Sequence, residues 1–533
     1  MSTEAAVSQG TQKSLSEKGL KAGSVGLIGA VVIGVSCIAP AYTLTAALGP
    51  TVSEVGVHLP AVFLVGFIPM LLVALGYREL NNAMPDAGTS FTWATRAFGP
   101  WIGWMGGWGL IAATIIVLSN LAAVAVDFFY LMLAQLLGNP GIAELTTDLP
   151  LNIATTLVFI AAACWISYRG MEATKGVQYV LVGFQLLVLG WFAVSAFVHV
   201  ANGTAFDATA ISPDWFNPFA VDSFSAFAAG VSLSIFIYWG WDVTLTMNEE
   251  TRNPEKTPGR AATVTVVVIM AIYMTAALAT LSFAGVGETG LGTGNPDNQS
   301  SIFAVLSGPV MGPFAILMSL AILSSSAASL QSTFVSPART LLAMGHYKAL
   351  PGKFGKVSPT FKSPSYATIA AAVAAAAFYV ITRTTSENAL WDTITALGMM
   401  ICFYYGITAL ACVWFFPGRG VQQRPGIPLQ VPGSPAGRGD PAGDVRQDGV
   451  RLHGPGVRFR FVGGRRGHGV HPGHGRHPAR RGHDAGDGPH PAGVLQGQGA
   501  GAGGSDWKLS TLTNRVAVRA WTRSKRTYSS RTR

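Results

Sequence analysis

Charged residues are scarce in this chain: Asp, Glu, Lys and Arg make up 12% of its 533 residues, whereas 50% are hydrophobic. Soluble domains typically contain about 25% charged residues. Runs without any charge are frequent and reach the ~20 residues that cross a bilayer; examples are 22–53, 97–126, 149–168, 261–287 and 298–338. The composition therefore excludes an ordinary soluble protein and predicts a polytopic membrane protein.

Cysteine is also rare. The chain has four cysteines, and all of them lie in apolar runs: Cys37, Cys164, Cys402 and Cys412. Small disulfide scaffolds are dense in cysteine, and zinc sites need closely spaced Cys or His ligands. Neither pattern is present, so we expect buried, unreactive thiols and neither a metal nor a cofactor.

Histidine outside the C-terminal tail is limited to three residues near predicted helix ends, His58, His199 and His346. An enzyme embedded in the membrane would need convergent catalytic side chains, such as His with Asp or Glu, at membrane depth. The sequence therefore argues against an enzyme. It also lacks filter-like repeats and rings of like charge, which argues against a passive channel.

Hydropathy predicts ten membrane spans in an all-α membrane protein, and several spans are rich in the small residues that let membrane helices approach closely. The predicted spans are 25–48, 59–80, 102–134, 151–168, 177–200, 224–247, 261–285, 307–343, 364–382 and 391–416. They make up a predicted transmembrane core at residues 23–416.

The distribution of Lys and Arg predicts the orientation of these spans. With the N-terminus in the cytoplasm, 15 basic residues fall on the cytoplasmic side and only Arg383 falls outside. The first 20 residues are polar and lack the apolar core of a cleavable signal peptide. We therefore expect residues 1–22 to be a cytoplasmic tail, and the protein to be a multi-pass component of the cytoplasmic membrane.

The sixth predicted span carries an unusual feature. A helix up to Tyr238 is followed by Trp-Gly-Trp-Asp at 239–242. Gly240 lowers the cost of interrupting a helix, and an acid such as Asp242 inside a membrane usually faces a cavity. We favour an interrupted helix that lines a wet cavity. The alternative is a helix end, with Asp242 at the interface and Glu249 and Glu250 in solvent.

The first span has a comparable sequence at 34–40, Gly-Val-Ser-Cys-Ile-Ala-Pro. Pro40 removes a backbone donor and Gly34 loosens the helix. One interpretation is a second interruption, whose freed N–H groups face an anionic group such as a carboxylate. The other is a simple proline kink. The two candidate interruptions are five spans apart, which is the spacing that an inverted repeat of five plus five helices predicts.

Several different short motifs follow one another along the core. They are Tyr77-Arg-Glu-Leu80, Met84-Pro-Asp-Ala-Gly88, Thr89-Ser-Phe-Thr-Trp93, Ala97-Phe-Gly-Pro100, Tyr168-Arg-Gly170, Glu249-Glu-Thr-Arg-Asn-Pro254, Ser324-Ser-Ser-Ala-Ala-Ser329 and Ser336-Pro-Ala-Arg339. In this order they resemble the signatures of the amino acid–polyamine–organocation (APC) permease superfamily. The resemblance covers residues 23–416.

The resemblance implies a secondary transporter that works by alternating access and binds an amino acid between broken helices 1 and 6. The first-span backbone would hold the substrate carboxylate. The sixth-span carbonyls and Asp242 would hold its ammonium group, and aromatic side chains would close over it. The substrate-binding residues predicted in this way are Gly34, Ser36, Cys37, Ile38, Ala39, Phe236, Ile237, Tyr238, Trp239, Gly240 and Asp242.

Two positions depart from the pattern of the superfamily. Its usual first-span break is a glycine pair that flanks Ser or Thr, whereas this chain offers only Gly34, with Ser36 two residues later. Some relatives carry a fifth-span lysine as a proton site. The corresponding stretch here reads Phe-Gln-Leu at 184–186, so we do not expect proton coupling through that group.

The sequence therefore predicts a secondary active transporter of amino acids, working as a symporter or an antiporter. A polyamine or organic-cation carrier of the same fold is the alternative. The expected partners are an amino acid substrate, a coupling ion (proton or sodium) or an exchanged solute, and the lipid bilayer. No nucleic acid partner is predicted.

The C-terminal region 417–533 differs sharply from the core. It holds 20 Lys and Arg against 6 Asp, and seven of the ten histidines, in a background of Gly, Pro and Ala. No segment of it is apolar enough to span a bilayer or build a core, so we expect disorder. A basic tail that binds anionic lipid, and weak metal binding at 468–483, are two interpretations. We prefer a third interpretation, in which a G/C-rich gene is read out of frame after a shift near codon 417. Two further spans would then be lost.

Overall fold

Fifteen α-helices dominate the part of the chain that the structure describes. This computed structural model describes residues 18–299, 301–385 and 389–416, and for 389–396 it describes only the helix. The predicted tail 417–533 and most of the predicted segment 1–22 lie outside the described residues. Between residues 18 and 416 we find no β-sheet among the described residues, only an isolated bridge between Val25 and Thr251.

The helices follow one another with short connections. In chain order they are α1 Leu27–Ile38, α2 Pro40–Val55, α3 Leu59–Ala83, α4 Ser90–Phe98, α5 Pro100–Leu137, α6 Leu149–Tyr168, α7 Met171–Ala201, α8 Phe224–Ile237, α9 Val243–Thr246, α10 Thr257–Ala284, α11 Ile302–Met311, α12 Ile316–Thr333, α13 Val335–His346, α14 Ser365–Thr385 and α15 Ala389–Phe415. Short 3₁₀ turns lie at Gly56–His58, Pro140–Thr147, Pro213–Phe216, Pro218–Ala220, Asn248–Glu250, Pro296–Asn298 and Gly312–Phe314.

Eight stretches of the described chain are long and apolar enough to cross a bilayer, where the sequence predicts ten spans. The difference has two causes. The first two predicted spans join into one stretch, Leu27–Ala83, because only a 3₁₀ turn separates α2 from α3. The sixth predicted span ends early, since α8 is only 14 residues long. Eight apolar stretches make this a multi-pass membrane protein.

The eighth predicted span, 307–343, differs from the structure at its start. Its first residues belong to a separate helix, α11, and the spanning helix begins only at Ile316. Gly312 separates the two helices with a φ of 57°, a left-handed conformation that glycine adopts without strain. The sequence analysis also missed α4, whose buried face includes Phe91 and Trp93.

The helices pack around α1, α10 and α12. α12 contacts α5, α7 and α1, while α10 contacts α3, α1 and α7. Small residues permit close approach at several crossings. At Gly66 of α3, an added Cβ would lie 2.7 Å from the Cβ of Ser234 in α8. α8 packs against α2 and α3, and the residues that follow α1 and α8 are buried where the candidate site lies.

Candidate functional site

The first span is interrupted at a single residue. α1 ends at Ile38 and α2 begins at Pro40, with Ala39 between them at φ 57° and ψ 64°. The N–H of Ala39 turns back and donates to the carbonyl oxygens of Ser36 (3.0 Å) and Val35 (3.1 Å). A left-handed conformation is uncommon for alanine and costs of order 1–3 kcal/mol. The proline ring at the start of α2 provides no N–H, so the helical hydrogen bonds stop and restart here.

The sixth predicted span is interrupted over a longer stretch. α8 ends at Ile237, and the short helix α9 begins at Val243. Between them the N–H of Trp239 donates to the carbonyl oxygen of Phe236 (3.1 Å), and Gly240 has a φ of 116°. Only glycine adopts that conformation readily. The backbone of this turn therefore departs from helical geometry between α8 and α9.

The two interruptions touch each other. A Cβ added to Gly240 would lie 3.1 Å from the carbonyl carbon of Cys37 and 3.2 Å from the nitrogen of Ile38. The absence of a side chain at residue 240 thus lets the two backbones pack directly. These interrupted backbones form the centre of the candidate site.

Hydroxyl groups connect the two interruptions. The hydroxyl of Tyr273, in α10, donates to the carbonyl oxygen of Ile237 (2.7 Å) and lies 2.5 Å from the hydroxyl of Thr43. Thr43 in turn donates to the carbonyl oxygen of Ala39 (3.0 Å). The carbonyl group of Ile237, freed at the end of α8, therefore obtains its partner from a side chain, as buried backbone polar groups require. The carbonyl oxygen of Ala39 also accepts the first helical hydrogen bond of α2, from the N–H of Thr43 (2.9 Å).

α12 and α7 provide further polar partners for the first interruption. Ser329 donates to the carbonyl oxygen of Cys37 (2.7 Å). The hydroxyl of Ser36 bonds to the side-chain oxygen of Gln178 and lies 3.1 Å from the hydroxyl of Ser332. The sequence analysis did not identify Gln178, because a single glutamine in an apolar span gives no periodic signal.

A small cavity of about 20 Å³ lies beside the two interruptions, and this volume is close to that of a single water. Its lining joins α1, α2, α5, α8, α12 and α15. The lining residues are Cys37, Ile38, Tyr42, Thr43, Val117, Asn120, Leu121, Phe236, Trp239, Ser329 and Leu397. Among the residues described by the structure, those around this cavity include no charged side chain.

The structure brings four of the predicted substrate-binding residues to this cavity: Cys37, Ile38, Phe236 and Trp239. Four more form the interrupted backbones beside it, namely Ser36, Ala39, Ile237 and Gly240. The ring of Tyr238 instead packs against Phe67 and Tyr273. Gly34 packs against α10, where an added Cβ would lie 2.7 Å from the hydroxyl oxygen of Thr265.

Seven lining residues were missed by the sequence analysis. They are Tyr42, Thr43, Val117, Asn120, Leu121, Ser329 and Leu397. Most of them are ordinary residues in apolar helices, so neither residue type nor spacing marks them. Ser329 is the exception, since it lies in the serine-rich motif of α12.

Asp242 does not line the cavity, but it is connected to it. Its side chain is buried, whereas the alternative placed it at a helix end at the membrane interface. One carboxylate oxygen accepts a hydrogen bond from the hydroxyl of Tyr404 (3.1 Å), and this hydroxyl accepts one from the indole N–H of Trp239 (2.5 Å). Tyr404 therefore joins Asp242 to a ring that lines the cavity.

An ion cluster closes the end of the bundle at which residues 18–25 and 84–89 meet. Lys18 forms ion pairs with Asp86 (3.0 Å) and Glu249, and all three side chains are buried. Asp86 also accepts hydrogen bonds from Tyr347 (2.5 Å) and Thr92 (2.7 Å). The sequence analysis missed Lys18, because one lysine in a polar segment resembles any solvated charge.

The environment of this cluster favours the charged forms of Lys18 and Asp86, but not that of Glu249. Burial alone would lower the pKa of Lys18, but Asp86 and Glu249 hold that pKa above its ordinary value of 10.5. Burial alone would raise the pKa of Asp86, yet Lys18 and the hydrogen bonds from Tyr347 and Thr92 hold it below the ordinary 3.8. Burial raises the pKa of Glu249, and the negative charge of Asp86 adds to this effect.

A second buried ion pair lies close by. Arg339 donates two hydrogen bonds to the carboxylate of Glu250, from Nε (2.8 Å) and from Nη2 (3.1 Å). Each side chain is only 1% exposed. The alternative in which Glu249 and Glu250 are solvated is therefore wrong: each carboxylate has a buried cation as its partner.

Comparison with known proteins identifies the family. A family model described as amino acid permease matches residues 24–434. The branched-chain amino acid permease BcaP of Lactococcus lactis subsp. cremoris (strain MG1363) is 27% identical over 322 residues, which cover 56% of this chain and 62% of that protein. The low-affinity putrescine importer PlaP of Escherichia coli (strain K12) is 23% identical over 350 residues, which cover 64% of this chain and 70% of that protein. The chain thus spans less than two thirds of the Lactococcus protein.

A solved structure supports the fold. Mhp1, a nucleobase-cation-symport-1 family transporter in a closed conformation with bromovinylhydantoin bound, superimposes with a TM-score of 0.51 at 13% sequence identity, covering 74% of this chain and 80% of Mhp1. At this identity the likeness concerns the helical transporter fold alone. The family model covers well over half of the chain and describes permeases rather than enzymes. This chain belongs to the amino acid permease family.

Proposed function

We propose that this protein is a secondary active transporter that carries an amino acid across the cytoplasmic membrane by alternating access, with its N-terminus in the cytoplasm. The proposal includes a core of ten spans in two inverted five-helix repeats, at residues 23–416. Its main support is the contact between the two interrupted backbones, at Ala39 and at Gly240. Transporters built from inverted repeats bind their substrates between such helices.

The polarity of the helix ends suggests how a zwitterion binds. The start of α2 carries the positive end of a helix dipole, and the end of α8 carries the negative end of another. In our proposal the backbone N–H groups at the start of α2, next to Cys37, Ile38 and Ala39, hold the substrate carboxylate. The carbonyl groups at Phe236 and Ile237 hold its ammonium group, and Trp239 covers it.

The lining of the cavity suggests an apolar amino acid. The side chains of Ile38, Val117, Leu121 and Leu397 surround it, together with three aromatic rings, and no charged side chain lies among the described lining residues. A charged substrate side chain would lose its hydration there without gaining a partner. This apolar lining is the observation that favours a branched-chain or similar amino acid, and the BcaP relative transports that class according to its name.

Substrate binding requires the cavity to grow, because about 20 Å³ holds only about one water. Trp239 is the natural element to move, since it lines the cavity and its indole N–H is held by Tyr404. Alternating access also requires the ion cluster to come apart. Lys18 would have to separate from Asp86 and Glu249 for the cytoplasmic end to open.

A polyamine or organic-cation carrier is the alternative, and one observation favours it. Asp242 is a buried carboxylate that connects to Trp239 through Tyr404, and the putrescine importer is among the relatives. A cation carrier would use this negative charge directly. In either case we expect Asp242→Asn to reduce uptake while leaving expression unchanged.

Transport by purified protein in liposomes tests the proposal. We expect uptake of labelled leucine that an imposed ion gradient or internal amino acid stimulates. Competition experiments then distinguish an amino acid substrate from a polyamine or organic cation. Unlabelled leucine should inhibit, whereas isoamylamine, which lacks the carboxylate, 4-methylpentanoate, which lacks the ammonium group, and putrescine should not. Inhibition by isoamylamine and putrescine as strong as that by leucine would favour the cation carrier. No uptake of any of these compounds would contradict the transporter proposal.

A further inference from the structure

A second, larger cavity of about 570 Å³ lies at the same end of the bundle as the ion cluster. Its walls come from four parts of the chain: the connection before α1 (residues 19–24), Arg169 with the start of α7 (residues 171–172), the turn at Glu250, and the connection before α14 (residues 360–362). Its volume is within the range of ~300–1,000 Å³ that is typical of ligand sites. Since each of these connections adjoins a span, the cavity lies at the level of the membrane surface.

Basic side chains dominate this cavity. Lys21, Arg169 and Lys362 line it, and Lys175 stands beside it with its ammonium group 3.2 Å from the carbonyl oxygen of Ser24. Lys21 pairs with Glu172 at 2.7 Å. The remaining acid in the lining, Glu250, is already neutralised by the buried guanidinium of Arg339.

Two of these cations have no carboxylate partner in the described part of the chain. The guanidinium carbon of Arg169 lies over two rings, 5.9 Å from the centre of Trp165 and 5.7 Å from that of Phe361. Lys362 has no ion pair there either. A guanidinium held in place by two rings retains its hydrogen-bond donors for an anion, and phosphate is the anion that a fork of donors fits well.

The connections that carry these cations are fixed to each other. Gly170 has a φ of 91°, and an added Cβ there would lie 2.8 Å from the carbonyl oxygen of Phe361. Ser363 donates to the carbonyl oxygen of Tyr168 at 2.6 Å. The spacing between Arg169 and Lys362 is therefore set by the fold before any ligand arrives.

The cavity also borders the lipid-facing surface. α6 ends beside it, and on that helix Trp165 is 58% exposed and stacks on Tyr168. Exposed Trp and Tyr at the end of a span are typical of the membrane–water interface. A ligand in this cavity would therefore reach it from the bilayer as easily as from the cytoplasm.

We infer that this cavity binds the phosphate group of an anionic phospholipid, with Arg169 and Lys362 as its main ligands and Lys21 as a third. The inference uses the orientation proposed above, because the cytoplasmic leaflet carries the negative surface potential that basic cavities exploit. The bound lipid would link α6, α7 and α14, which all start or end at this cavity.

Lipid binding to purified protein tests the inference. Native mass spectrometry would compare dioleoylphosphatidylglycerol with dioleoylphosphatidylcholine on the wild type, on Arg169→Gln/Lys362→Gln, and on Lys353→Gln/Lys356→Gln. The last variant removes the same charge from exposed positions that lie earlier in the same α13–α14 connection as Lys362, outside the cavity lining. We expect the wild type to prefer phosphatidylglycerol. The cavity variant should bind it roughly tenfold or more weakly, and the control should remain within about twofold of the wild type.

Several outcomes would overturn the inference. Equal weakening in the two double variants would indicate diffuse surface attraction, and undiminished binding in the cavity variant would exclude the proposed ligands. Displacement of the lipid by inorganic phosphate at equal concentration would indicate a site for soluble phosphate. If the cavity variant does not fold, the charge-retaining Arg169→Lys/Lys362→Arg variant replaces it and must keep the lipid preference. Leucine uptake is measured separately, so loss of uptake with lipid preference intact would contradict the proposed function and leave this site standing.

Discussion

Replacing Gly240 by alanine tests the contact between the two interrupted helices most directly. A non-glycine residue with φ of 116° is strained by about 1–3 kcal/mol. The new Cβ would also lie 3.1 Å from the carbonyl carbon of Cys37, which is backbone and cannot rotate away. Overpacking of this kind costs about 1–3 kcal/mol. We therefore expect Gly240→Ala to destabilise the protein by about 2–6 kcal/mol, the sum of the two terms.

The assay is unfolding of the purified protein in mild detergent, paired with leucine uptake in liposomes. Gly183→Ala is the matched control, because Gly183 lies in α7 and an added Cβ there meets nothing within 4 Å. Alanine favours a helix over glycine by about 1 kcal/mol, so this control should be as stable as the wild type or more so. If Gly240→Ala is as stable and as active as Gly183→Ala, the proposed packing of the two backbones is wrong.

Two further predictions concern buried polar contacts. Lys18→Met should cost about 3–5 kcal/mol, because it leaves Asp86 buried without its cation, whereas Lys21→Met at an exposed pair should change stability little. Folding lowers the pKa of Asp86 and raises that of Lys18, so the stability difference between the wild type and Lys18→Met should persist across neutral pH. The difference should disappear as the pH falls below 3.8, where Asp86 gains a proton, or rises well above 10.5, where Lys18 loses one. Ser329→Ala leaves a buried carbonyl without its donor and should cost about 1–3 kcal/mol and weaken leucine uptake. Ser319→Ala in the same helix is its control, since the Ser319 hydroxyl has no partner among the described residues.

The sequence indicates both helix interruptions because their causes are local. Pro40 removes a backbone donor and Gly240 permits a positive φ, and each effect acts within its own segment. The same analysis does not predict the contact between them. That contact depends on long-range packing, of α1 against α10 and α12 and of α8 against α2 and α3, and neither segment encodes this packing.

Partners that lie far apart in the chain account for most of what the sequence analysis missed. Asp242 is conspicuous as an acid in an apolar stretch, but its link to Tyr404 spans 162 residues. Lys18 lies 231 residues from Glu249, and it looks like any other charge in a polar segment. For Asp242 the residue type shows that a partner is needed, because buried charges are usually paired, whereas nothing in the sequence marks Lys18. In both cases only the fold identifies the partner.

α15 connects these observations to the transport cycle. It places Leu397 against the cavity and Tyr404 between Asp242 and Trp239. An amino acid cannot enter a cavity of about 20 Å³ unless part of its wall moves. A shift of α15 would enlarge the cavity at Leu397 and, in the same movement, change the hydrogen bond that holds the indole of Trp239. In the proposed cycle, substrate entry and the position of Trp239 are therefore coupled through one helix, and the charge of Asp242 contributes through Tyr404 without contacting the substrate.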